Sequence, residues 1–536
     1  MILNNRFGSI MLQTGYCAAC SAALAVAFIF FMVPVVSAQT VTNQATPVGT
    51  PPAEITPDDS GMQPAVPDGV ERQTGKLYFS FVSSAYYMEK HWGRGMALEG
   101  IRRVADIAHS NGIPVTWMIN AKSAQAAGDL FTQYHNTYGD EVGLILSANQ
   151  EEAEKWGGES FYMRRTLNRD KMLKWAQEEI AGIKKSLPWA EIKIGGSGYR
   201  SKAMIQIFEK LGLAGVWGHC WEQTYTDGIS DRGAPWGFYY VNPDAYKTPN
   251  SRPGGLVAIE WTARDLNLAF RTGKPETFST DPDDVRRGGI TSHRSIDYWK
   301  ALVTQYQRNA RYNAVAPLMV HQEAHEMECT DAVCANNQDV IDVDAEMLDE
   351  LFKYVRETGA EIVPASQAIA AYRATNASTP PTYALFKNLA PSFKEMNPAV
   401  YEEVAGYREI FVYYDSNGQL FFDSGTVGPS FVRNYMNVSS AAMDDAEVAG
   451  IEYPPVPAVR EQVLDGKFIY QVTVESEEKM PYGIALWGDF DGCRFTSAGL
   501  PGQKILSGAL AFSPVIIEPG NNEIQIILEC TGPAWE

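Results

Sequence analysis

The chain has 536 residues, of which 64 are acidic and 44 basic, for a formal charge of -20. That length exceeds what one hydrophobic core usually serves and allows two or more domains. The acidic balance excludes a phosphate-backbone partner such as nucleic acid, which needs clustered Lys and Arg.

At the N-terminus Arg6 lies upstream of the apolar run Ala22–Val36, and Ser37-Ala38-Gln39 supplies a small-residue cleavage site. Residues 1–38 are therefore expected to be an export signal, the run being short of the ~20 residues that a spanning helix needs. This implies a secreted or periplasmic protein with no stable membrane insertion after cleavage. Residues 39–75 carry Pro47, Pro51, Pro52, Pro57, Pro64 and Pro67 and no hydrophobic period, so they read as an exposed tether.

From 76 to 376 short β-type runs alternate with amphipathic helical stretches. The expected strands are 77–83, 114–120, 141–147, 192–199, 214–220, 256–262, 316–322 and 361–365. Between them Leu98, Ile101, Ala105 and Ala108 share one helical face before the stop signal Asn111-Gly112, and Leu348, Leu351, Phe352 and Val355 do so before Gly359. Strands alternating with helices imply a parallel sheet, here a (β/α)7-8 barrel.

Residues 377–408 read as a linker and 409–536 as a β-sandwich. The hairpin signal is Ile410-Phe-Val-Tyr-Tyr, a turn at Asp415-Ser-Asn-Gly418, then Gln419-Leu-Phe-Phe-Asp, and further strands are expected near 468–474, 482–487, 509–517 and 522–529. In an oxidising compartment Cys329 is expected to pair with Cys334 and Cys493 with Cys530, leaving Cys220 free.

A parallel strand covered on both faces is apolar throughout, so polar groups appear where it emerges, and in α/β barrels that rim holds the active site. The run Pro317-Leu-Met-Val ends in His321, Glu323, His325 and Glu326. The other strand ends contribute Ser83, Ser84, Tyr86, Asn120, Arg200, His219, Trp221, Glu222, Glu260, Trp261 and Asp265. Aromatics stack on pyranose faces while carboxylates and amides take hydroxyls, so this rim points to a carbohydrate substrate. Glu260 and Glu323 are the candidate catalytic carboxylates, with His321; Arg200, His219, Trp221, Glu222, Asn120, Tyr86, Trp261 and Asp265 would bind substrate. No cofactor is required on this reading. A divalent metal on His219, His321 and His325 is the alternative.

The order of strands resembles the glycoside hydrolase/deacetylase barrel superfamily, especially NodB-type polysaccharide deacetylases. The segments that carry the likeness are Ile113-Pro-Val-Thr-Trp-Met, Asp140-Glu-Val-Gly, Gly198-Tyr-Arg200-Ser, and the closing unit of Leu318-Met-Val-His321, a helix over 345–357 and Glu361-Ile-Val-Pro. The resemblance implies a deacetylase-like barrel acting on polysaccharide and carries Arg200 and His321 over as site positions. It does not carry over the family's base and metal triad. Where the family has two aspartates this chain has Phe79-Ser-Phe-Val-Ser-Ser84, and Gly143-Leu-Ile-Leu-Ser-Ala-Asn-Gln replaces the paired histidines. Glycoside hydrolysis, glycan binding without catalysis, and a metal esterase with relocated ligands all stay open.

Overall fold

The computed structural model describes residues 75–87, 96–146, 169–197, 202–218, 238–241, 253–259, 263, 282, 296, 299–300, 303–304, 306–307, 310, 314–328, 338–378, 381–386, 409–413, 458–487, 493–496, 505–507 and 510–530. Among these, no helix is long and apolar enough to cross a membrane.

The first part is one curled, mostly parallel sheet. Its strands are β1 (Lys76–Ser84), β2 (Val115–Ile119), β3 (Glu141–Leu146), β4 (Ile194–Ser197), β5 (Gly215–Trp217), β6 (Tyr239–Tyr240), β7 (Val257–Ile259), β8 (Val315–His321) and β9 (Glu361–Ile362). The hydrogen-bonded order is β6-β7-β5-β4-β3-β2-β1-β8. All eight expected strands are present, and a further one, β6, was not expected and pairs antiparallel to β7.

The helices are α1 (Leu98–Ser110), α2 (Ala121–Tyr138), α3 (Arg169–Ser186), α4 (Lys202–Lys210), α5 (Gln338–Glu357) and α6 (Ala365–Thr375). Their stops follow from local chemistry. Helix α2 ends at Gly139, whose φ of 80° is a left-handed conformation open to glycine at little cost.

Strand alternation sorts the side chains into two buried clusters. Phe79, Phe81, Trp117, Leu144, Leu318 and Val320 pack outward with the apolar faces of α1, α3 and α5. Val82, Met118, Ile145, Trp217, Ile259 and Met319 fill the concave side. The curl can be measured from the rings of Trp217 on β5 and His321 on β8, which lie 5.0 Å apart although four strands separate them in the sheet. Five strand spacings in a flat sheet would place them ~24 Å apart.

The expected (β/α)7-8 barrel takes the form of a half-barrel: among the described residues no pairing joins the two ends of the sheet. Strand β9 pairs with β1 and does not extend the sheet beyond β8. Strand β8 runs along β1 from Lys76 to Val82, so β9, at Tyr78 and Phe79, and β2, from Phe81 onward, share the other edge of β1. The last strand thus tucks in beneath β2 and delivers α6 to the concave side, where Ala365, Ala368, Ile369 and Tyr372 join the inner cluster.

The C-terminal part holds two sheets. One has the order β11 (Glu409–Tyr413), β10 (Pro381–Phe386), β14 (Met480–Trp487), β17 (Leu510–Ile517), β16 (Ile505–Ser507). The other runs β12 (Ala458–Leu464), β13 (Lys467–Ser476), β18 (Gly520–Cys530), β15 (Cys493–Phe495). Strand β10 falls inside the stretch expected to be linker, and it pairs with β11 and β14. Its Pro381 and short apolar run mask a strand whose partners are remote in sequence. Cys493 and Cys530 face each other across β15 and β18 and form a disulfide. The second half of the expected hairpin at 419–423, the cysteines Cys329, Cys334 and Cys220, the export signal and most of the tether lie outside the described residues.

Candidate functional site at the mouth of the half-barrel

The C-terminal ends of β1 and β8 meet at the mouth. Their ladder continues past the strands, with Gln322 N–H donating to Val82 O at 3.2 Å and Ala324 N–H to Ser84 O at 3.0 Å. This seam turns Ser84 and His321 toward the concave side, by the same alternation that places Val82 and Met319 there. Ser84 Oγ lies 3.2 Å from His321 Nε2, and both residues are fully buried. Trp217 supplies an aromatic wall to the imidazole. Gly196 makes room for that indole, because a Cβ on it would lie 2.8 Å from a Trp217 ring carbon.

Beyond the seam the chain makes a 3-10 turn, His325–Met327. It sits against the start of α1, where Gly100 leaves space for the Ala324 carbonyl; a Cβ there would come within 1.8 Å of that oxygen. Glu328 continues the contact, its carboxylate accepting the N–H groups of Glu99 at 2.8 Å and Gly100 at 3.0 Å. Helix α1 lacks a side-chain cap of its own, so a carboxylate from this turn takes that role and meets the positive end of the helix dipole. The turn is thereby anchored, and it holds His325 against Tyr86 with ring centroids 5.5 Å apart.

Several expected site residues can now be placed. His321, His325, Tyr86 and Glu323 belong to the mouth, Glu323 half-buried just past β8. The i, i+4 pair His321 and His325 does not share a helical face, because a strand ends at the first and a 3-10 turn starts at the second. Asn120 has a structural role: its Oδ1 accepts Ser123 N–H at 2.9 Å and Ser123 Oγ–H at 2.8 Å, capping α2, while its Nδ2 donates to Tyr87 O at 3.2 Å. A residue at a strand end that also precedes a helix is drawn into capping it. Glu326 is held by Gln322 Nε2 at 2.9 Å. Glu260, Arg200, His219, Trp221, Glu222, Trp261 and Asp265 lie outside the described residues.

Two contributors were not in the expected set. Ser84 was visible as a strand-end hydroxyl, but only the β1–β8 pairing brings it to His321. Trp217 looked like strand core, and only the curl of the sheet carries it across.

The metal-binding alternative can be tested on donor chemistry. Ser83 Oγ donates to Gln322 O at 2.8 Å and Ser84 pairs with His321, so neutral hydroxyls occupy the positions where the resembled family carries aspartates. Among the described residues no three His, Cys, Asp or Glu side chains come together as a metal site. Ser83 and Ser84 bring no charged donor to such a site, and His219, the third expected imidazole, lies outside the described residues.

No family model matches the chain, and no curated protein does. Solved structures do match. One is a Mycobacterium smegmatis protein described as a polysaccharide deacetylase, 13% identical over 58% of this chain and 95% of that one, with a TM-score of 0.35. An allantoinase matches at 13% identity over 59% of this chain and 95% of its own, TM-score 0.34. A 4-alpha-glucanotransferase from Thermococcus litoralis matches at 8% identity over 85% of this chain and all of its own, TM-score 0.30. At these scores the likeness adds no weight to a functional reading, which rests on the residues.

Proposed function

We propose that the chain is an exported carbohydrate-active hydrolase working at the mouth of the half-barrel. His321 is at its centre, and Glu323 and Glu260 serve as the acid and base on a glycosidic bond. The observation that supports this is the His321 environment: a fully buried imidazole at the C-terminal end of β8, hydrogen-bonded by Ser84 and walled by Trp217. A histidine held at the rim of an α/β sheet is positioned for proton transfer, and the half-buried carboxylate of Glu323 follows it by two residues. Glu260 directly follows β7 in sequence. The two C-terminal sheets are read as the layers of a β-sandwich appended to the catalytic part.

A second reading is a barrel that binds glycans without cleaving them. The observation favouring it is that Ser83 and Ser84, at the aspartate positions of the resembled family, are engaged with Gln322 O and His321.

The test is release of reducing ends from a panel of polysaccharides by the mature protein and by His321→Gln, Glu323→Gln and Glu260→Gln. Each substitution is expected to lower turnover by about 10²-fold or more. If Glu260→Gln and Glu323→Gln both leave turnover intact, the carboxylate assignment is wrong. Saturable binding with no release by the unaltered protein selects the second reading.

A further inference from the structure

We propose that the end of the half-barrel opposite the mouth carries a separate glycan-binding surface, on which Tyr138 stacks against a neutral pyranose ring and Asp106 takes its hydroxyls. Tyr138 closes α2 and is 45% exposed. One face of its ring lies on His109, with centroids 3.7 Å apart and planes 10° from parallel. That face is closed, so the remaining exposure belongs to the opposite face and the edge. A flat ring open on one side is what the apolar face of a sugar stacks upon.

The ring rests on a fixed support. Nε2 of His109 is shared between the two carboxylate oxygens of Asp140, at 3.0 and 3.1 Å, and Tyr134 meets the imidazole edge-on with centroids 5.0 Å apart. The imidazole cannot turn without breaking these contacts, so a ligand meets a tyrosine already in place and loses little entropy in ordering it. Asp140 anchors a second stack as well. Its carbonyl accepts from His135 Nδ1 at 2.7 Å, and His135 lies against Trp189 with centroids 3.9 Å apart and planes 6° from parallel. Trp189 is half-buried and donates Nε1–H to Thr132 Oγ1 at 3.0 Å, which leaves Tyr138 as the more open ring at this end of α2.

The polar partner comes from α1. Asp106 is exposed and stands one turn before His109 on the same helix face. Burial first, and then this carboxylate, raise the Tyr134 hydroxyl above its usual value, which places Asp106 beside the ring pair of Tyr134 and Tyr138. Among the described residues the Asp106 carboxylate makes no hydrogen bond or ion pair, whereas Arg102, a turn earlier, is engaged by Glu99. A carboxylate accepts from sugar hydroxyls while an aromatic face takes the apolar side of the same ring. Charge narrows the ligand class further. In a chain of formal charge -20, a polyanion or a second copy would meet repulsion at Asp106, and a neutral glycan would not.

The experiment is affinity electrophoresis of the full mature chain in native gels, each holding one soluble neutral polysaccharide: amylopectin, xylan, galactomannan or hydroxyethylcellulose. At least one should retard the unaltered protein. In that gel Tyr138→Ala should weaken the affinity by at least about fivefold, and Tyr138→Phe should restore it, because the ring and not the hydroxyl is the platform. Asp106→Ala should weaken it by about threefold or more. Leu464→Ala, which removes an equally exposed apolar group elsewhere, should change nothing. Absence of retardation in all four gels overturns the proposal, as does unchanged retardation of Tyr138→Ala. Should Tyr138→Ala not fold by circular dichroism, Tyr138→Leu keeps an apolar group without a flat face, and unchanged retardation there is equally decisive. A dimer in sedimentation that Tyr138→Ala dissolves would assign the ring to a second copy and also overturn it.

Failure here is distinct from failure at the mouth. His321→Gln should keep the retardation, and Tyr138→Ala should keep whatever turnover the unaltered protein has on short oligosaccharides. Retardation lost in His321→Gln and kept in Tyr138→Ala would place the glycan at the mouth alone.

Discussion

The two ends of the half-barrel both bury polar side chains, yet they do so in opposite ways. At the N-terminal end Asp140 accepts from Val115 N–H at 3.0 Å, Trp117 Nε1–H at 2.7 Å and His109 Nε2 at 3.0 Å. Beside it Glu141 accepts from Thr116 Oγ–H at 2.8 Å, from Ser366 N–H at 2.9 Å and from the Ser366 hydroxyl. Thr116 Oγ1 in turn accepts Ala365 N–H at 2.9 Å, so two barrel side chains cap the start of α6. The two carboxyl groups there are surrounded by donors from β2, α1 and α6, which is what a structural keystone requires. At the mouth Ser84, His321 and Trp217 bring together a hydroxyl, an imidazole and an indole, with Glu323 half-buried just past β8. Burial and polarity alone do not mark a working site. What separates the ends, among the described residues, is that the lower one encloses two carboxyl groups in donors, whereas the upper one pairs a neutral hydroxyl with an imidazole.

The sharpest break of that contrast is Asp140→Ala. It strips three donors of their acceptor at once and leaves them buried, so unfolding free energy should fall by about 3 to 5 kcal/mol, read from the urea midpoint. A loss below about 1 kcal/mol would show that the lower end is no keystone.

Gly100→Ala tests how firmly α1 holds the mouth. The added methyl meets the Ala324 carbonyl, so the turn carrying His325 must move, at a cost of about 1 to 3 kcal/mol. The near-ultraviolet circular dichroism of Tyr86 and its neighbours should change together with Tm. An unchanged Tm would mean that the turn is not anchored there.

The smallest effect concerns pH. Burial pushes the Glu141 carboxyl above its ordinary value of 4.5, against the opposing hydrogen bonds from Ser366 and Thr116. With the folded value raised above the unfolded one, the stability linked to its proton is fully present below the ordinary carboxylate range and is lost as pH rises through the folded value. The Tm of the unaltered protein relative to Glu141→Gln should therefore decline as pH is raised from about 4 upward. A difference that stays constant with pH would put the charge of Glu141 out of the balance.

Much of the lower end escaped sequence reading. Asp140 and Glu141 looked like the opening of a strand, and nothing local shows that Ser366, 225 residues away, closes on Glu141. His109, in the last turn of α1, pairs with Asp140 31 residues on, a contact no local pattern shows. At the mouth, His321 was legible because a seven-residue buried strand ends in it, a transition from apolar to polar that survives in one dimension. Asn120 was legible as a strand-end amide, but its capping of α2 was not, since capping and substrate binding draw on the same residue type and only the Ser123 contacts reveal the cap.

Local patterning, then, determined which segments become strands and helices, and where helices stop: apolar periods of two and 3.6 and a few glycines suffice for that because the forces involved act within a few residues. Register, curl and closure belonged to tertiary structure. The sharing of one β1 edge between β2 and β9 and the 5.0 Å approach of Trp217 to His321 depend on packing between residues tens to hundreds of positions apart. The physical reason is that a strand's apolar run says it will be buried, but which neighbour buries it is decided only by the shape of the whole sheet.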